Sequence, residues 1–554
     1  GLNTDWLDIL IVPDLYPLSE VEFGFLRYFQ DKGGALILSA SDLLMRGKTV
    51  SDSILLRPDE DLGDYGFFSK SVAKIGIRPS IADADPTCVQ YDTDFVPGVD
   101  AGVVDMQVLP DGAKFHTTST KDKFFPVWGT EFPERYEVTR NYEIAAGYDK
   151  FGRHINVPVC FSQNWENGSR QCLFASNREG SFFDPAHPDF YKLLDAAVAF
   201  CKNGVMAQYL QPKYACYRQG EAVGIDFSLK NASAQRQVAD VKIVISGGSD
   251  RIERNRQVVI PAGEIVKGEV FWMPDSFTTD LYDVTMYVSV GGVLVSRAEN
   301  AFVVWNEEVI ANGPKFDVDG SYFTFNGEKF FLSAANYYDS NQNAGMWAMP
   351  NVRRLNADIK QMAEYGMRYI RIHYHHPKWF YDYYLDAHGF VPPVYESLGE
   401  SYLPSEKHWL TFDAHVYLCQ KYGVVYGGDV LTLRPKEMGD PRGWIDLFDY
   451  AQYADAIECQ KEFLKMLVPR YKDVPGISWD IYNEPIETFG GNHSPEYDDR
   501  IGKWGKELTE YMRSLGEPHT ICVGYAEDTP LYREFASYAA PHNMYYVVDQ
   551  LEAS

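Results

Sequence analysis

The feature that most limits how this chain can fold is an alternation of short apolar strands with helical segments after Trp305. Helical segments such as "LTFDAHVYLCQKYG" separate the strand-like runs. β/α repeats at this spacing predict a TIM (β/α)8 barrel over residues 309–554, in which reactive side chains lie where strands end. Only six strands are found, so this barrel is predicted to be truncated after its sixth strand. In order, the runs are "FFLSAANYY", "MRYIRIHYHH", "GVVYGGDVL", "GISWDIYNEP", "TICVGYA" and "ASYAAPHNMYYVV".

Two other patterns precede the barrel. Residues 205–308 carry short alternating runs bounded by Gly, Asn and Pro, such as "GEAVGIDFSLKN", which predict an immunoglobulin-like β-sandwich. Residues 1–204 begin with a strand, a helix and a second strand, the unit of a parallel sheet, and predict a flavodoxin-like α/β domain. Because 554 residues are too many for one hydrophobic core, the predicted class is a multidomain α/β protein.

Charge and composition exclude several kinds of partner. The formal net charge of −27 would repel nucleic acid and anionic membrane surfaces, and no apolar run in the sequence is long enough to span a membrane. The start of the chain lacks the features of a signal peptide. The location cannot be read from this segment, and cytoplasmic, periplasmic and secreted locations all stay open. Eight scattered cysteines without a C-x-x-C pair predict buried free thiols rather than a zinc site or a disulfide framework.

Polar residues lie at or near the ends of two predicted barrel strands, the fourth and the second. Glu484 ends the fourth strand in "GISWDIYNEP", beside Asn483, whose carboxamide can donate to a substrate hydroxyl. Alternation along the second strand puts Arg371, His373 and His375 on one face. If the arginine points into the barrel mouth, the two imidazoles do so as well.

Other interpretations of these residues remain open. "NEP" also fits the start of a helix in an ordinary loop, and Asp429, which ends the third strand, binds substrate or is merely solvated. "HYHH" fits metal ligands, but no matching carboxylate or thiolate cluster accompanies it, so no metal and no cofactor is predicted. Imidazoles that bind sugar hydroxyls, or that hold the acid in place, are favoured instead.

The stretch "QKEFLKMLVPRYKDVPGISWDIYNEP" resembles the fourth-strand region of clan A glycoside hydrolases. "FTFNGEKFFLSAANYY", "GMRYIRIHYHH", "HVYLCQKYGVVYGGDVL" and "ASYAAPHNMYY" resemble the first, second, third and sixth strands. The resemblance implies that Glu484 is the general acid/base, although Arg368 stands where the clan has an asparagine. With the strand-end positions, it implies substrate binding by Asn483, Arg371, His373, His375, Asn336, Tyr337, Asp429, His542, Tyr545 and Tyr546.

The resemblance also implies the reaction. In the clan, the acid/base protonates the glycosidic oxygen and then deprotonates a water, while a second carboxylate about 5 Å away acts as nucleophile and gives net retention. That nucleophile is a glutamate at the end of the seventh strand, whereas this chain stops at Ser554. The nucleophile is therefore expected outside this chain, with the remainder of the barrel supplied by further C-terminal sequence or by a second fragment.

The segment "DILIVPDLYPLSEVEFGFLRYFQDKGGALILSAS" resembles the class I glutamine-amidotransferase fold, including versions attached to some barrel β-galactosidases. An active amidotransferase needs a cysteine after a strand, and the matching turn "LILSASDLL" has none, so this domain is expected to be inactive. In the related galactosidases it helps to build a homo-oligomer. This domain content favours a β-galactosidase, with a β-mannosidase, a β-glucan hydrolase or a non-catalytic carbohydrate-binding or scaffold protein as alternatives.

Overall fold

The described residues form a mixed α/β structure that is rich in sheet. They are joined into six sheets, and at this coarse level the predicted class is confirmed. The computed structural model describes residues 8–15, 25–26, 28–30, 32–40, 79–80, 88–99, 104–105, 116–117, 139–148, 151–152, 154–164, 168–174, 181–337, 344–347, 349–373, 406–431, 450–483, 495–525, 534–538 and 540–541.

The first region carries a seven-stranded sheet in the order β1-β2-β9-β8-β7-β4-β5, and β3 pairs separately with β6. Strands β1, β2 and β9 are parallel, whereas β8, β7, β4 and β5 continue the sheet in antiparallel pairs. The antiparallel half was not predicted, and the likeness to flavodoxin and to amidotransferases stays a prediction. The elements are β1 (Ile9–Leu15), β2 (Ala35–Ala40), β3 (Pro79–Ser80), β4 (Cys88–Tyr91), β5 (Val104–Asp105), β6 (His116–Thr117), β7 (Thr139–Tyr148), β8 (His154–Asn164), β9 (Arg170–Phe174) and α1 (Phe190–Lys202).

Strand β2 is buried on both faces, as the apolar run "ALILS" predicts. Leu36, Ile37 and Leu38 have no exposed surface. The preceding turn needs glycine, because Gly33 has a φ of 85°, in the left-handed region. A side chain on the next glycine would overlap the ring of Phe29, so this turn packs closely on the helical residues before it.

The second region is a two-sheet sandwich, with sheets β10-β12-β15 and β11-β17-β16-β13-β14. Inward-facing residues alternate with outward ones along the strands, and Tyr282 stacks on Phe302 in the core, with ring centroids 5.2 Å apart. Its strands are β10 (Val205–Pro212), β11 (Cys216–Tyr217), β12 (Val223–Asn231), β13 (Gln237–Gly247), β14 (Asp250–Ile260), β15 (Ile265–Trp272), β16 (Leu281–Val290) and β17 (Val293–Val304).

The third region holds a six-stranded sheet, β21-β22-β23-β24-β25-β26, in which every neighbouring pair is parallel. Strands in sequence order with helices between them are what the first six repeats of a barrel require, and closure of the barrel stays a prediction. The elements are α2 (Glu307–Ala311), β18 (Phe316–Asp319), β19 (Tyr322–Phe325), β20 (Glu328–Phe330), β21 (Ala334–Tyr337), α3 (Val352–Glu364), β22 (Tyr369–His373), α4 (Glu406–Lys421), β23 (Val425–Asp429), α5 (Tyr450–Tyr471), β24 (Ile477–Asn483), α6 (Pro495–Ser514), β25 (Thr520–Tyr525) and β26 (Ala540–Pro541).

Alternation along β22 separates apolar from polar side chains. Ile370 and Ile372 are fully buried in a hydrophobic cluster that includes Leu355 of α3. Arg371 and His373 therefore lie on the opposite face of the sheet. This face carries the polar residues that the sequence analysis singled out.

An antiparallel unit of β18, β19 and β20 packs at the amino-terminal end of the parallel sheet. The ring of Phe316 contacts that of Tyr369, the first residue of β22, at a centroid distance of 5.5 Å. Phe323 contacts Tyr538 in the same way at 5.2 Å. Aromatic rings thus cover this end of the sheet, opposite the strand ends where the candidate site lies.

Candidate active site

Arg371 is the centre of a buried polar cluster on the face of the parallel sheet opposite Ile370 and Ile372. Its Nε donates to Asp480 Oδ2 at 2.9 Å, and its Nη2 donates to the same oxygen. Nη2 also donates to Asn483 Oδ1 at 3.1 Å and approaches Asp429 Oδ2 at 3.4 Å. Nη1 lies 2.7 Å from Nε2 of His373. One guanidinium therefore connects residues of three neighbouring strands.

Strand register explains why these side chains meet. His373 is paired with Asp429 across β22 and β23, and Asp429 is paired with Asp480 across β23 and β24. Arg371 lies level with Gly427, where a side chain would overlap the ring of Tyr369. Parallel strands in this register bring residues far apart in sequence to one height on the sheet.

The contacts of His373 fix its protonation. A guanidinium can only donate, so Nε2 accepts from Arg371 and does not carry a proton. The ring proton is then on Nδ1, which lies 2.6 Å from Asp429 Oδ2. The backbone oxygen of His373 accepts from Trp347 Nε1 at 2.7 Å. Both ring nitrogens of His373 therefore face protein groups, Arg371 on one side and Asp429 on the other.

Burial and neighbouring charges shift the pKa values of the cluster in opposite directions. Burial alone would lower the pKa of Arg371, but the carboxylates of Asp480 and Asp429 outweigh it and raise that pKa. Burial raises the pKa of Asp480, although the arginine opposes the shift. Arg371 is therefore held as a cation between the carboxyl groups of Asp480 and Asp429.

Asp480 also connects two strands through the backbone. Its Oδ1 accepts from the N–H of Gly524 on β25 at 2.9 Å and from that of Tyr482 at 3.3 Å. Asp480 is not among the site residues predicted from the sequence. A signal was present, because an aspartate in the apolar run "GISWDIYN" predicts a buried charge that needs a partner.

A hydroxyl layer lies below this cluster, toward the amino-terminal ends of the strands. Tyr538 contacts the hydroxyl of Tyr369 at 3.2 Å and that of Ser478 at 2.9 Å. Thr520 donates to Ser478 at 2.8 Å. Burial raises the pKa of the Tyr369 hydroxyl, so this layer is uncharged at neutral pH. It separates the charged cluster from the aromatic rings beneath it.

The remaining predicted residues differ in where they lie. Asn336 is level with Arg371 across β21 and β22 and is exposed. Tyr337 is buried on the other face of β21, and its hydroxyl donates to Asp358 on α3 at 2.9 Å. The other predicted site residues lie outside the described residues: Glu484, His375, His542, Tyr545 and Tyr546.

The described residues contain neither a group of metal-ligand side chains nor a membrane-spanning helix. Within those residues, no three or more histidine, cysteine, aspartate or glutamate side chains are grouped as metal ligands would be. None of the helices in the same part of the chain combines the length and the apolar character needed to cross a membrane.

Comparison with known proteins finds similarity to solved structures. No protein family matches the chain, and no curated protein does either. Among solved structures, the chain is similar to β-glucuronidase 2 of Bacteroides uniformis, with 14% identity over 63% of this chain and 38% of that one, and a TM-score of 0.27. A GH2 β-galacturonidase of Eisenbergiella tayi shares 12% identity over 58% and 46%, with a TM-score of 0.24.

A third solved structure is similar to the same degree. The β-glucuronidase of Bifidobacterium dentium is 13% identical over 59% of this chain and 44% of that one, with a TM-score of 0.24. The chain thus spans less than half the length of each of these three enzymes.

Proposed function

We propose that this chain carries the acid/base half of the active site of a retaining β-glycosidase. Glu484 is the general acid/base, Asn483 donates to a sugar hydroxyl, and the nucleophile is a carboxylate outside residues 1–554. A β-galactosidase is the first choice of substrate class, with β-mannosides and β-glucans as alternatives. The proposed partners are a carbohydrate substrate and further copies of the same chain.

The contact between Arg371 and Asn483 carries this proposal. It fixes an asparagine side chain at the last residue of β24, directly before Glu484 in sequence. Asp429 lies at the corresponding end of β23, so polar groups gather at the carboxyl ends of adjacent parallel strands. This is the edge at which β/α folds carry their reactive groups.

The charge of the cluster suits an acid that must be protonated before it acts. Asp480 lies four residues before Glu484 in sequence, and Asp429 lies on the neighbouring strand. A neighbouring negative charge favours the neutral form of a carboxylic acid. Glu484 would then protonate the departing glycosidic oxygen, and its carboxylate would later accept a proton from the attacking water.

The test is hydrolysis of aryl β-glycosides by the full-length polypeptide that contains this sequence. In Glu484→Gln, kcat/KM should fall by about 10²–10⁴-fold for poor leaving groups, because these need protonation. The loss should be smaller for 2,4-dinitrophenyl glycosides, which leave without help. Glu462→Gln, at an exposed position on α5, is the matched control and should keep wild-type rates.

Two results would contradict the proposal. One is equal loss for good and poor leaving groups, which would remove the acid role from Glu484. The other is absence of hydrolysis by the unmodified protein for every sugar of the panel, which would favour a non-catalytic carbohydrate-binding or scaffold protein.

A further inference from the structure

Asp480 is the one acidic or basic residue of β24. It is 1% exposed, and its neighbours Trp479 and Ile481 are fully buried on the other face of β24. Removing a carboxylate from water costs several kcal/mol unless it is paired and hydrogen-bonded. Both oxygens of Asp480 are occupied, one by Arg371 and the other by backbone N–H groups. An aspartate this well matched to its surroundings fixes the groups that it contacts.

The planar guanidinium transmits this constraint. Asp480 takes the Nε and Nη2 donors of Arg371, while His373, held against Asp429, faces Nη1. Because the guanidinium is one rigid plane, fixing these two edges fixes the direction of the second N–H of Nη2. That direction is toward Asn483, whose Oδ1 accepts from Nη2 at 3.1 Å.

The contact with Arg371 also orients the amide of Asn483. An arginine can only donate, so the oxygen of the carboxamide must face it, and the NH2 group is the other end. In the proposed function, that NH2 group donates to a sugar hydroxyl. A flipped amide would present an acceptor there instead, so the orientation decides whether the contact forms.

We propose that Asp480 is a positioning residue for the glycosidase site, acting through Arg371 on the carboxamide of Asn483. The inference rests on the proposed function and extends it to Asp480, which lies three residues before Asn483 on β24. Asp480 acts on the sugar only through this chain of hydrogen bonds. Its effect must therefore disappear when Asn483 can no longer donate.

A double-mutant cycle tests this dependence. Asp480→Asn and Asn483→Ala are each expected to lower kcat/KM by about 10–100-fold on the aryl β-glycoside that the full-length protein hydrolyses fastest. Their combination should lose no more than about threefold beyond Asn483→Ala alone. If the two losses multiply instead, Asp480 acts independently of Asn483 and the proposal is overturned.

Asp413 supplies the matched control. It is a buried aspartate on α4 that accepts from Arg470 at 2.8 Å and from Tyr471 at 2.8 Å. Asp413→Asn should lower the melting temperature, keep kcat/KM per folded molecule, and combine multiplicatively with Asn483→Ala. If Asp413 is coupled to Asn483 as strongly as Asp480 is, the loss of kcat/KM in Asp480→Asn reflects a general loss of packing. That result would overturn the proposal.

A second variant covers the case in which Asp480→Asn does not fold. Arg371→Gln with Asp480→Asn removes both charges of the buried ion pair, and Asp429 keeps its contact with His373. It should fold and should lose activity as Asn483→Ala does, whereas wild-type kcat/KM would overturn the inference. If wild-type activity depends on Glu484 but not on Asp480, this inference is wrong while the proposed function is retained. Inactivity of the wild type overturns both proposals.

Discussion

Single residues in the parallel sheet are constrained by how little space and solvent they have. Arg371 and Asp480 lie inside the sheet because each satisfies the other, and a buried pair of this kind is destabilised strongly by loss of one partner. Gly427 lies beside them for a steric reason, since its missing side chain leaves room for the ring of Tyr369. Charge and volume are therefore matched residue by residue around the candidate site.

Gly427→Ala should reduce the free energy of unfolding by about 1–3 kcal/mol, because the added methyl group overlaps the ring of Tyr369. Urea denaturation measures the change. Tyr369→Leu in the same background should recover part of the loss by removing the ring, and Tyr369→Leu alone is the control. A Gly427→Ala protein as stable as the wild type would show that the ring moves aside freely.

Helix α4 has almost no exposed face, although most helices in soluble proteins expose one side. Its residues from His408 to Gln420 are buried. One side packs on β23 and its neighbours, and the other meets the sandwich, where Asp280 accepts from Tyr417 and from Lys421, each at 2.8 Å. The helix lies between two regions, so both of its sides are buried.

Asp280 makes this contact dependent on pH. Burial opposes ionisation, but the hydrogen bonds from Lys421 and Tyr417 prevail and lower the pKa of Asp280. Because the folded-state pKa is lower than the unfolded one, the stabilisation is present at neutral pH and is lost as pH falls through the folded value.

Asp280→Asn should therefore lower the melting temperature at pH 7, by a shift equivalent to about 1 kcal/mol or less since both partners are partly exposed. The difference from wild type should shrink below about pH 4, the range in which aspartate protonates. Melting temperatures measured across this range test the prediction, and a difference that grows on acidification would contradict it.

The described regions of the molecule are joined by buried polar contacts as well as by a shared core. One hydrophobic cluster contains Ala301 and Val303 of the sandwich together with residues of the parallel sheet and its helices. Between the first region and the sandwich, Arg140 donates to the backbone oxygen of Ala207 at 2.6 Å, and Tyr142 contacts Ser296 at 2.9 Å. The sandwich thus lies in contact with both of its neighbours.

Arg218→Met should weaken the contact between the sandwich and α4. Arg218 donates to the buried carboxylate of Asp413 at 2.7 Å and lies over the ring of Trp305. We expect a loss of about 1–2 kcal/mol in the free energy of unfolding, because Asp413 keeps its contact with Arg470.

Arg251→Met is the control, since Arg251 is mostly exposed and pairs with Glu253 on the same strand. It should change stability by less than about 0.5 kcal/mol. Both variants are compared by urea denaturation. Equal effects would mean that the interface contact of Arg218 contributes no more than a surface ion pair.

Local patterns were sufficient to predict the six parallel strands of the third region and the shared face of Arg371 and His373. Both depend on the geometry of consecutive residues, and the alternation of side chains along a strand is set by the backbone alone. The apolar run of β2 and the alternating runs of the sandwich followed from the same reasoning. Resemblance to a family added Asn483 and Glu484 as a functional pair, and that role remains a prediction for both residues.

Only the tertiary structure decided which of these residues meet. Arg371 and Asp480 are 109 positions apart, and nothing in either segment alone specifies the register that places them within hydrogen-bonding distance. The antiparallel half of the first sheet and the double burial of α4 likewise depend on long-range packing. The sequence determined which faces are polar, and the pairing of distant strands decided that one arginine joins Asp480 to Asn483.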